Sequence, residues 1–147
     1  MRMQGIVTRG HQVASGQGGD PRYPDGTLGL QLPHFKAAGL PVDGFFAGTI
    51  NVDISPRRYR VRNVPIRLNA VCWTDHHPPE DFFFWECELV HRETVHAALI
   101  YMPSPETKQE HFQQDSILEI LTRPISDLEY GDRVELVLAD GQLESLD

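Results

Sequence analysis

This sequence predicts a single β-rich domain, a barrel or a sandwich, and three observations carry that expectation. The chain has 147 residues, close to one domain by length and long enough to bury roughly 68–70% of its unfolded surface. Its 12 glycines and 11 prolines are spread throughout, which cuts the chain into short elements and opposes any long helix. Between these breakers, apolar and polar residues alternate with the period of two that belongs to half-buried strands. A hydrophobic fraction of 40% with 23% charged residues is ordinary for a globular chain and excludes disorder, collagen and a bare coiled coil.

Gln4 to Thr8 (QGIVT) reads as the first strand, and His11 to Gly26 as a long loop of turn-forming residues. Loops of that length inside a small domain are usually functional or disordered. Pro33 to Ala38 predicts a short helix with Pro33 at its first position and Gly39 as a left-handed stop. From Gly48, the residues Thr49, Asn51 and Asp53 fall on one strand face and Ile50, Val52 and Ile54 on the other; the apolar set faces the core. Arg58 to Leu68 again alternates. Ala70 to Thr74 and Phe82 to Val90 flank the polar stretch DHHPPED as a hairpin, which predicts Trp73 near Trp85 and Cys72 near Cys87, both thiols buried and reduced. Val95 to Met102 is a further strand, and Arg133 to Leu138 closes the chain after the turn residues YGD. Ile117 to Leu121 fits a buried strand or, because Ser116 and Glu119 have capping-box spacing, a helical turn.

Twenty-one acidic against 13 basic residues leave a net charge of -8, which disfavours nucleic acid or anionic lipid as a partner. No apolar run approaches the roughly 18 residues of a membrane span, and the first ten residues hold no signal-peptide core, so a cytoplasmic location is expected. Glu86, Glu88, His91, Glu93 and His96 cluster without zinc-motif spacing, and alternation on a half-exposed strand accounts for them. His76 and His77 read as a solvated loop tip, and the arginines of RRYRVR as a solvated strand face. No hydrolase motif is present.

Two signals carry chemistry. Ser15 to Gly19 (SGQGG) follows a strand, and glycines there would let backbone N–H groups approach a phosphate; a plain surface loop fits equally. It is not a Walker loop: GK[ST] is missing, and the only lysines are Lys36 and Lys108. In GTIN, Thr49 and Asn51 share a strand face. A hydroxyl and an amide oxygen there would hold Mg²⁺ only with nucleotide phosphates completing its shell. Two polar residues on a wet strand face are the alternative.

The order SGQGG, GTINVDI, AALIYMP, SILEIL, LEYGDRVELVL resembles the archaeal CTP-dependent riboflavin kinases over nearly the whole chain. Their counterparts are an SGxGxG loop, a GTLN strand, a GAIVVP-like strand, an EIIEI segment and a closing DGDxVxI strand. The resemblance implies one six-stranded cradle-loop barrel with one or two short helices, CTP as donor, Mg²⁺ and riboflavin as acceptor. By residue, Gln17, Gly18, Gly19 and Asp20, with Arg22 and Tyr23, match the loop that wraps CTP. Thr49 and Asn51 match the Mg²⁺ ligands, and Glu119 a flavin-contacting glutamate that would orient the acceptor hydroxyl or act as its base. Thr107 or His111 falls near a flavin-contacting threonine, and Arg123 is the cation of the nucleotide-contacting segment. Gly19 stands where the family has glutamate, and the basic segment after Glu119 is shortened to TRPISDLEY. A flavin- or nucleotide-binding module without transfer chemistry, or a kinase of another small hydroxylated metabolite, is the alternative.

Overall fold

The structure, a computed structural model, describes residues 1–9, 27–104 and 116–145. Its strands are β1 (Arg2–Thr8), β2 (Ile50–Asp53), β3 (Tyr59–Val61), β4 (Ile66–Val71), β5 (Glu80–His91), β6 (Thr94–Pro103), β7 (Ile117–Thr122), β8 (Arg133–Leu138) and β9 (Leu143–Ser145). The one helix among the described residues is α1 (Thr27–Ala37). Strands β5, β6, β7, β2, β1 and β8 pair in that order, and β8 returns to β5, closing a six-stranded barrel whose neighbours are all antiparallel. The first half of β5 leaves the barrel to pair with β4 (Ile66 opposite Phe84), and its second half closes on β8 (Cys87 opposite Leu138). The fold class is thus a small, mainly β barrel with few helices.

Alternation builds two cores on the two faces of one sheet. Met3, Val7, Val52, Trp85, Leu89, Ile100, Leu118, Ile120 and Leu136 fill the barrel. Gly5 also points inward, and a Cβ there would lie 2.5 Å from Val52 Cγ1 and 2.9 Å from the carbonyl oxygen of Asp53. Closure of β1 on β2 therefore depends on a residue without a side chain. Outside the barrel, α1 lays Leu28 and Phe35 on Phe82, Phe84, Leu99, Tyr101 and Leu121. Phe35 meets Phe82 and Phe84 edge-on, with ring centroids 5.1 and 5.0 Å away.

Several expectations change. The helix runs over Thr27–Ala37 rather than Pro33–Ala38, with Pro33 inside it. Gly39, at φ +94°, ends it as expected. Leu28, Gln31 and Phe35 are its buried positions; their spacing is helical, and burial against the outer core outweighs the helix-breaking Gly29 and Pro33. Trp73 does not meet Trp85. A register shift between Leu68 and Val71, with Ala70 at φ +53°, moves Trp73 into the outer core, where its indole donates to Glu80 (3.1 Å). Trp85 lies inside the barrel and donates to the Asn63 carbonyl (2.7 Å). Cys87 is buried, but Cys72 is exposed. The segment from Arg58 to Leu68 is not one strand: β3 pairs with β9, and β4 starts at Ile66. Of the two readings open for Ile117 to Leu121, the buried strand is the one found, so Glu119 caps no helix. His91 is not a half-exposed strand residue; it takes the inward side of the alternation and is 2% exposed. His77, expected in solvent, is half-buried near Trp73. No described helix is long and apolar enough to cross a membrane.

Candidate functional site

The register across the barrel places Thr8 opposite Asn51, Asn51 opposite Glu119, Glu119 opposite Tyr101, and Tyr101 opposite Phe84. Directly opposed residues share a face, so these five form one row on the outer side of β1, β2, β7, β6 and β5. At one end of the row, Phe84 and Tyr101 lie beneath α1. At the other lies Thr8, the last residue of β1.

Asn51 and Glu119 are neighbours in the middle of this row. Thr49, two residues before Asn51 and on the same side, donates its hydroxyl to Glu119 Oε1 (3.2 Å). A hydroxyl just before β2 and a carboxylate on β7 are therefore bonded, with Asn51 of β2 as the register neighbour of that carboxylate. Asn51 is only 7% exposed, so a wet strand face does not describe it; Thr49 and Glu119 are half-buried. Among the described residues, no group of three or more His, Cys, Asp or Glu side chains is arranged to hold a metal. The donor set here consists of hard oxygens with one carboxylate, which suits Mg²⁺ when phosphate oxygens supply the remaining positions.

Sequence reasoning missed two residues that frame this cluster. Tyr101 donates its hydroxyl to Gln31 Oε1 of α1 (2.7 Å), with both side chains buried. Burial holds the phenol well above its ordinary range, and the carboxylates of Glu119 and Glu80 push it further. It is a neutral donor at any physiological pH. The alternation in AALIYMP was the available signal for Tyr101; nothing local marked Gln31, whose partner lies 70 residues away.

Arg123 does not join the cluster. It follows β7 four residues after Glu119, roughly 13 Å along the strand, and its Nε donates to the Asp43 carbonyl (3.2 Å). It lines an open groove of ≈ 890 Å³ with Phe45, Glu86, Glu88, His96 and Leu99 among others. Glu86 and Glu88 are exposed, as alternation predicts. Gln17, Gly18, Gly19, Asp20, Arg22, Tyr23, Thr107 and His111 lie outside the described residues. No protein-family model and no curated protein matches this chain.

Proposed function

We propose that this chain is a small-barrel phosphotransferase that moves a phosphoryl group from a nucleoside triphosphate, CTP by resemblance, to the 5′-hydroxyl of riboflavin, giving FMN. The observation that supports this is that Thr49, Asn51 and Glu119, residues singled out from two separate motifs, lie side by side: Thr49 bonds Glu119, and Asn51 stands opposite Glu119 in the strand register. In such a transfer, the bond between the γ-phosphorus and its bridging oxygen breaks, the acceptor oxygen bonds to that phosphorus, and the acceptor proton leaves. Most of the catalysis is positioning and charge neutralisation. Thr49 and Asn51 would hold Mg²⁺, which when bound neutralises charge on the phosphate oxygens. Glu119 accepts a hydrogen bond from Thr49 and retains acceptor capacity for the substrate hydroxyl, so it can orient that hydroxyl or take its proton. Asn51 and Glu119 stand on paired strands and Thr49 immediately before β2, and orientation is tighter on strands than on loops.

Incubation of the protein with riboflavin, Mg²⁺ and each of the four nucleoside triphosphates, with FMN resolved by chromatography, tests this. Formation of FMN with CTP is expected; no FMN with any donor removes the proposal. Arg123 favours a second reading, because its distance from Glu119 leaves the cluster without that cation: a module that binds flavin or nucleotide without transfer. Isothermal titration separates the two, since a module would bind FMN or CTP without turnover.

A further inference from the structure

The groove of ≈ 890 Å³ that Arg123 lines is a second concavity, and neither Thr49, Asn51 nor Glu119 contributes to it. Its floor is the outer side of β5 and the strands beside it. Glu86 stands there opposite Leu99, and Glu88 stands between Ala97 of β6 and Val137 of β8. Two residues apart on one strand, the two glutamates share a face, with Cα atoms about 6.8 Å apart. Both are exposed, and among the described residues neither carries a hydrogen bond or an ion pair. Arg123 and His96 are the basic groups of the lining. Arg123 follows Thr122, which pairs with Ala98 of β6, so it stands across β6 from the glutamates, about two strand spacings or roughly 10 Å away. Its Nε is bonded to the Asp43 carbonyl (3.2 Å), and its two terminal nitrogens are left as donors.

We propose that this groove binds an extended basic segment of a partner protein whose cationic side chains lie two residues apart. Charge complementarity selects the sign, because two like charges on a strip of small and aliphatic side chains are relieved by cations. Spacing selects the conformation: an extended peptide lying along β5 repeats the same distance of about 6.8 Å between alternate side chains. Ala97, Leu99 and Val137 offer apolar surface to the aliphatic stems of lysine or arginine while the charged heads reach Glu86 and Glu88. The free donors of Arg123 suit a peptide carbonyl, which a simple amine lacks. The net charge of -8 favours encounter with a basic partner. A second copy of this chain is the competing occupant, since Arg58 and Arg60 of the Tyr59–Val61 strand region are exposed at the same spacing. Arg60, however, is already paired with Glu144 (3.3 Å). The proposal is independent of the phosphotransferase reading.

The test is fluorescence anisotropy of the full chain at low salt with two labelled, capped pentapeptides of equal composition and charge, Gly-Lys-Val-Lys-Gly and Gly-Lys-Lys-Val-Gly. Three proteins are compared: the parent, Glu86→Gln/Glu88→Gln, and Glu93→Gln/Glu129→Gln, which removes the same charge from exposed positions outside the groove. The parent should prefer the alternate-lysine peptide. Glu86→Gln/Glu88→Gln should weaken that peptide by about tenfold and abolish the preference, while Glu93→Gln/Glu129→Gln keeps both affinity and preference. An equal loss in the two double variants overturns the proposal, because net charge alone would then act. Equal affinity of the parent for both peptides, or binding of neither at millimolar concentration, also overturns it. Sedimentation of the parent alone detects the competing occupant: self-association abolished by Glu86→Gln/Glu88→Gln gives the groove to a second copy and overturns the peptide partner. FMN formation bears on none of these outcomes.

Discussion

Gly5→Ala is a single-methyl perturbation at the seam where β1 closes the barrel. The added Cβ would sit 2.5 Å from Val52 Cγ1 and 2.9 Å from the Asp53 carbonyl oxygen. Val52 is fully buried, so its methyl has little room, and the carbonyl belongs to the backbone. One strand must move. Overpacking of this kind costs about 1–3 kcal/mol, and the lower unfolded-state entropy of alanine offsets about 0.4–1 kcal/mol of it. With an unfolding entropy of about 2.1 cal/mol/K per residue over 147 residues, each kcal/mol corresponds to about 3 °C, so a fall in Tm of up to about 8 °C follows. Gly29→Ala is the control. Its Cβ meets nothing within 4 Å, and in a helix the same substitution should stabilise by about 0.4–1 kcal/mol. Thermal and urea unfolding followed by circular dichroism measure both. In the Gly5→Ala background, Val52→Ala should cost less than it does alone, as a double-mutant cycle reports. A Gly5→Ala protein as stable as Gly29→Ala would refute the tight β1–β2 seam and with it the register that sets Thr8 beside Asn51.

Other predictions follow from the site and its surroundings. Glu119→Gln keeps an acceptor for Thr49 and should lower FMN formation by at least about a hundredfold with Tm nearly unchanged; equal loss of activity and folded protein would make Glu119 structural. Tyr101→Phe leaves the Gln31 oxygen buried without its donor and should cost about 1–3 kcal/mol, most of it recovered in Tyr101→Phe/Gln31→Met, where both polar partners are gone; urea melts of the three variants decide. A thiol reagent should modify the exposed Cys72 in the native protein and reach Cys87 only after unfolding, because burial, with Glu88 adding to it, pushes the Cys87 thiol up to about 12. The Glu129 N–H and then His91 hold the Asp132 carboxyl below its ordinary range. Its stabilisation is therefore complete above the unfolded-state pKa of about 3.9 and is lost as pH falls through the lower folded value. Asp132→Asn should thus lower Tm at pH 7 and converge with the parent in acid, and a constant gap across that range would refute the assignment.

What could be read from the sequence alone was whatever local spacing encodes. Strands β2, β5, β6 and β8 were legible because inward and outward residues alternate every second position whatever the partner strand is. The stop at Gly39 was legible because a left-handed cap needs a glycine. Thr49 and Asn51 could be paired for the same reason, since two residues apart on a strand means one face. Tertiary structure alone decided the rest. Helix α1 forms over Gly29 and Pro33 because Leu28, Gln31 and Phe35 find an outer core assembled from β5, β6 and β7. Trp73 parts from Trp85 because the irregularity at Leu68–Val71 shifts the register. Glu119 stands opposite Asn51, and bonded to Thr49 70 residues earlier, because barrel closure sets β7 beside β2. The turn before β8 stands beside the end of β1 because Gly131 and Asp132 bond to Val7 across the ladder. Contacts of that kind depend on which strands become neighbours, and strand order is settled by how two cores fill at once rather than by any spacing along the chain.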